Sequence, residues 1–107
     1  MIEDFLRQDR EHKRAKIVTE MARIPWLELQ RFFAAGKVFQ IATELDLVDV
    51  AYAFQEDNIE QVKSWTEGEQ VLSVSDDQAK QWVATDATLW AVVVKPWVLV
   101  QTIKADS

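Results

Sequence analysis

The side chains that invite chemistry are one histidine, His12, and three acidic groupings: Asp46 with Asp49, Glu56-Asp57 with Glu60, and Asp76-Asp77. His12 stands beside Lys13 and Arg14, cations that disfavour its protonation and repel a metal. With no second histidine and no cysteine, a zinc site would need carboxylates almost alone, an uncommon donor set. Carboxylates do suit hard cations such as Mg²⁺ and Ca²⁺, but the calcium-loop pattern of alternating acids followed by glycine is absent. Asp46, Asn58 and Ser75 stand where helix caps belong, and capping accounts for them without a ligand. None of the serines sits in a G-x-S-x-G elbow, and a single histidine is the one candidate base. The chain has two glycines, Gly36 and Gly68, whereas phosphate-cradling loops need several close together. The absence of cysteine excludes disulfides, thiolate ligands and thiol nucleophiles. No catalytic residue, metal ligand or cofactor is therefore assigned. Asp46, Asp49, Glu56 and Asp57 are expected to cap and solvate helices, and whether they do more stays open.

The elements that would position these groups can be read from periodicity. Residues 3–23 read as a helix with no Gly or Pro. Its middle, Arg7 to Lys16, is almost wholly polar, and Ile17, Val18, Met21 and Ile24 supply an apolar stripe only at its carboxyl end, so it should dock by its last two turns. An arm that pairs with another chain is the alternative. Pro25 breaks this helix and opens another, with Trp26, Leu29, Phe32 and Phe33 at helical spacing and Gly36 as a left-handed cap. A short strand is expected over 37–42. Leu47, Val50, Ala51 and Phe54 mark a helix over 47–57 with Asp46 as its cap. A second helix follows Asn58, with Ile59, Val62 and Trp65 as its buried stripe and Gly68 at its end. Residues 71–74 form a short strand, and Ser75 with Gln78 opens a helix carrying Ala79, Trp82 and Val83. Residues 89–103 are the strongest β signal, broken by Pro96 into two short strands or one kinked one.

The expected class is α+β: a charged amino-terminal helix over 1–23, then a single helix-rich domain over 24–107 with a small antiparallel sheet. The order of elements resembles a winged-helix layout with a helix inserted in the wing. Five tryptophans in 107 residues is a high count, and Trp26, Trp65 and Trp82 fall on apolar faces that read as core. The terminal segment is apolar on both faces of any strand it forms. It must be sandwiched between layers or partly covered by another subunit, which makes Trp90, Trp97, Val98 and Val100 candidate interface residues.

Charge narrows the partners. Residues 44–86 carry eleven acids against Lys63 and Lys80, in a chain of net charge −6. Such a surface repels phosphate backbones, so no nucleic-acid partner is expected. No apolar run resembles a signal-peptide core, and the longest apolar stretch falls far short of the roughly 20 residues a membrane helix needs. A cytoplasmic protein without membrane contact is expected.

Several segments taken together resemble a known family. They are I-P-W-L-E-L at 24–29, F-F-A-A-G at 32–36, L-D-L-V-D-V-A at 45–51, E-D-N at 56–58 with V-K-S-W at 62–65, S-D-D-Q-A-K-Q-W at 75–82 and L-W-A-V-V-V-K-P-W-V-L-V-Q at 89–101. The chain is similar to a family of short, uncharacterised bacterial proteins, a domain of unknown function, over roughly residues 16–103. The resemblance implies a bacterial cytosolic protein and assigns no functional residue. The function expected is a non-enzymatic protein-interaction or small regulatory binding domain that forms a homodimer or engages another protein. A winged-helix transcription regulator and a carboxylate-based metal or metabolite binder or enzyme are the alternatives.

Overall fold

A terminal segment apolar on both faces needs cover on both sides, and the chain supplies it with two layers of helices. The computed structural model describes residues 2–103; Met1 and residues 104–107, the two ends of the expected division, lie outside the described residues. In chain order the elements are α1 (Ile2–Glu20), β1 (Ala22–Pro25), a 3₁₀ turn (Trp26–Leu29) running into α2 (Gln30–Ala34), β2 (Val38–Ile41), α3 (Leu47–Gln55), α4 (Ile59–Glu67), β3 (Val71–Ser73), α5 (Asp76–Ala84), β4 (Thr88–Val94) and β5 (Trp97–Thr102). The fold is α+β, as the element pattern implies.

Among the described residues the sheet has five strands in the order β1-β4-β5-β2-β3. It is mixed rather than purely antiparallel, because β2 lies parallel to β5, Phe39 opposite Leu99. Residues 95–96 make a two-residue turn between β4 and β5, with Val94 opposite Trp97. Pro96 thus falls where no ladder N–H is required. No wing flanks α5. In this topology β3 pairs with β2, whereas β4 pairs with β5 and β1. Strand β1 is absent from a local reading, since residues 22–25 hold a single large apolar side chain. Pairing with Thr88–Ala91 makes it a strand.

Side-chain alternation divides the core in two. Leu89, Ala91, Val98, Val100 and Val38 face Trp26 and Leu29 from the 3₁₀ turn and Ala79 and Trp82 from α5. Val92, Leu99, Ile41 and Val71 face Ile17, Leu47, Val50 and Ala51 from α1 and α3. The sheet is therefore the middle of three layers, and the tryptophans Trp26 and Trp82 pack against each other at 4.9 Å between ring centroids.

The helices begin and end as their caps require. Asp46 accepts from Val48 N, Asn58 from Gln61 N and Ser75 from Gln78 N. Among the described residues, α2, α3, α4 and α5 close alike, with a left-handed residue after the cap: Gly36, Asp57, Glu69 and Asp86. In each, the next residue's N–H reaches back five positions, as in Lys37 N to Phe32 O and Gln70 N to Trp65 O. Gly68 itself stays right-handed and Glu69 takes the strained position.

Candidate functional site

Helix α4 carries the apolar stripe expected of a docked helix, and that stripe is not covered. Ile59 is 74% exposed, Val62 and Trp65 are only half-buried, and no residue of α4 is buried. Helix α4 follows α3 after an abrupt turn at Asp57-Asn58 and packs beside β3 at the edge of the sheet. Between them lies an open cleft of about 520 Å³. Its floor is Phe39 from β2, Val71 from β3 and Trp97 from β5; its walls are Ala53 and Phe54 of α3 and Ile59 and Val62 of α4.

The aromatic floor is fixed by its own packing. Phe39 meets Trp97 edge-on at 5.2 Å and Phe54 at 5.9 Å, separations at which aromatic pairs attract. Beside Asp57, three polar groups on the rim are engaged locally. Asn58 caps α4, Thr66 donates to Val62 O, and Lys63 lies 4.0 Å from Glu67. Such a lining favours an apolar occupant and offers no convergent acid, base or nucleophile.

The candidate carboxylates are dispersed. Asp46 caps α3 at 2.8 Å from Val48 N. Asp49 forms an ion pair with Arg14, whose guanidinium also lies 6.0 Å from the Tyr52 ring centroid. Glu56 accepts two hydrogen bonds from Lys13 Nζ, at 3.2 and 3.3 Å. That bond to the Glu56 carboxylate, helped by nearby Asp9, holds the Lys13 ammonium above its ordinary pKa of 10.5. Asp57 sits on the cleft rim in its left-handed conformation. Two of the four thus join α1 to α3, and α1 docks through the polar residues Lys13 and Arg14 as well as through buried Ile17. His12 is exposed. Among the described residues no three His, Cys, Asp or Glu side chains gather to hold a metal.

The candidate interface residues separate by strand alternation. Val98 and Val100 are buried within the core of a single chain, so they offer no surface to a partner. Trp97 and Trp90 point to the opposite face, both half-buried. Trp97 floors the cleft, while Trp90 lies under the Arg23 guanidinium at 4.9 Å. Phe39, Phe54 and Val62 are the site residues that sequence reasoning did not single out. Val62 had a signal in the apolar stripe on α4, read as buried because periodicity carries no information on whether a face finds cover, and Phe39 and Phe54 carried only the apolar patterns of β2 and α3.

Comparison with known proteins agrees with this architecture. The family described as a protein of unknown function, DUF2288, matches residues 12–102. No curated protein matches the chain. The NMR solution structure of PA1075 from Pseudomonas aeruginosa is similar with a TM-score of 0.78 and 44% sequence identity, covering 90% of this chain and 89% of that one. No helix among the described residues is long and apolar enough to cross a membrane. With nearly its whole folded body inside the match, the chain belongs to the DUF2288 family.

Proposed function

We propose that this domain acts by binding, and that its recognition surface is the aromatic cleft between α4 and the sheet. The observation that carries this reading is the uncovered α4 stripe: Ile59 and Val62 line an open, apolar cavity over Phe39 and Trp97. A cleft of about 520 Å³ lies within the range of binding pockets. Its apolar lining suits an amphipathic helical segment of a protein, anchored at i, i+3 and i+4. Of the carboxylates that the sequence singles out, Asp46 caps α3 while Asp49 and Glu56 hold the α1–α3 ion pairs.

The test is a titration with the apolar dye 1-anilinonaphthalene-8-sulfonate at low micromolar protein. The folded domain should enhance dye fluorescence saturably, and Val62→Glu should reduce the enhancement several-fold while leaving the circular dichroism spectrum unchanged. A flat titration, or one that Val62→Glu leaves untouched, would defeat the reading.

A further inference from the structure

The cleft shares a wall with the surroundings of α1. Phe54 and Asp57 line the cleft beneath α4. The same two residues line a second hollow of about 370 Å³, whose other sides include Ile17 and Glu20 of α1 and Val92 of β4. The corner that closes α3 therefore stands between α4 and α1. Helix α1 grips that corner through Lys13, whose Nζ donates to both carboxylate oxygens of Glu56 at 3.2 and 3.3 Å. Arg14 holds Asp49 further back on α3. Along α1, every residue other than Lys13, Arg14 and Ile17 is exposed, and only Ile17 is buried. One buried side chain and two partly exposed ion pairs thus make up the hold. Salt screens ion pairs of that kind, and an element with so few buried contacts opens ahead of the rest of a fold.

The corner is placed to pass a movement on. Leu47, Val50 and Ala51 anchor the beginning and middle of α3 in the core, whereas its carboxyl end meets α1 through Glu56. Residues 56–58 alone join α3 to α4. Within them Asp57 takes left-handed backbone at φ 54° and Asn58 already caps α4. With so short a link and no buried residue of its own, α4 is free to follow a shift of the corner. We propose that α1 is a salt-sensitive clamp on the α3–α4 corner and thereby regulates the cleft. Docked, it fixes the wall formed by Phe54 and Asp57. Released, it lets that wall and the first turn of α4 move, so the cleft loses its preorganised shape and with it affinity for an occupant. This rests on the cleft being a recognition surface. The family match begins at residue 12 and so takes in both pins, Lys13 and Arg14, while leaving out the exposed stretch before them.

Hydrogen exchange read by mass spectrometry on the full chain tests this. Raising sodium chloride from about 20 mM to about 0.5 M should speed exchange by about two- to five-fold in residues 13–20. Residues 54–62 should speed up in step, and residues 89–102 should not change. Lys13→Met with Arg14→Met should show the faster exchange already at low salt and lose the salt effect. Arg10→Met, which removes an exposed base of the same helix, should do neither. Coupling between two sites is reciprocal, so saturating anilinonaphthalene dye should slow exchange in residues 13–20 of the wild type and not of Val62→Glu. Faster exchange confined to residues 13–20, with 54–62 unmoved, would overturn the clamp, and so would dye that speeds α1 exchange or leaves it unchanged. Either result leaves the cleft reading standing wherever dye binding is saturable and lost in Val62→Glu. A flat dye titration would sink the cleft reading and the regulatory role with it, even with the two segments still exchanging in step.

Discussion

At the scale of single residues, the acidic side chains that look most like chemistry hold the framework together. Asp46 is exposed, yet its carboxylate accepts from Val48 N and so satisfies one of the otherwise unpaired donors at the start of α3. Asp46→Ala should cost about 1 kcal/mol, read as a fall in denaturation midpoint without a change in slope, and Asp46→Asn should restore most of it. The three caps were legible in the sequence because capping is a local event, decided by a side chain and the N–H groups two or three residues on. The partners of Asp49 and Glu56 were not legible: Arg14 and Lys13 stand 35 and 43 residues away in the chain, and only the docking of α1 brings them near.

Elements show a second pattern. Helices α3, α4 and α5 end on Asp57, Glu69 and Asp86 in the left-handed conformation. That conformation costs an L-residue roughly 1–2 kcal/mol relative to right-handed backbone, and an acid at a helix carboxyl end also opposes the helix dipole. Glu69, exposed and not part of the cleft lining, is the position to test. Glu69→Gly should raise stability by about 1 kcal/mol, seen as a higher melting temperature. The hold of α1 on α3 depends on pH. The Glu56 hydrogen bond raises the Lys13 pKa above 10.5 in the folded chain, so its contribution is complete below the unfolded value and is lost as pH rises through the folded one. The stability difference between wild type and Lys13→Met should therefore be constant at neutral pH and shrink above about pH 10.5. Added salt should weaken the same contact, since both partners are partly exposed.

The whole molecule is longer than its mass requires. Its radius of gyration is 14.7 Å, against about 13 Å for a compact chain of this length, and the amino-terminal half of α1 accounts for the excess. An element held by so few buried contacts opens ahead of the rest of the chain. Trypsin should therefore cut after Arg14 and Lys16 several-fold faster in added salt, before any cut within residues 24–103; cuts that appear everywhere at once would contradict a clamp that opens alone. Within the apolar terminal segment the two faces differ: Val98 and Val100 are interior, whereas Trp97 floors the open cleft.

What the sequence determined by itself is local: the helix starts at Asp46, Asn58 and Ser75, the left-handed Gly36, the helical stripes, the β character of residues 89–103, and the class α+β that their order implies. Each depends on forces acting within a few positions, namely hydrogen-bond satisfaction, side-chain periodicity and backbone sterics. What only the tertiary structure decided is which faces meet. Strand β1 exists because β4 is there to pair with it, and the parallel pairing of β2 with β5 joins segments about sixty residues apart. The stripe on α4 reads like that on α3, yet one is covered and the other lines a cleft. Burial is a property of two surfaces, and a single segment specifies just one of them.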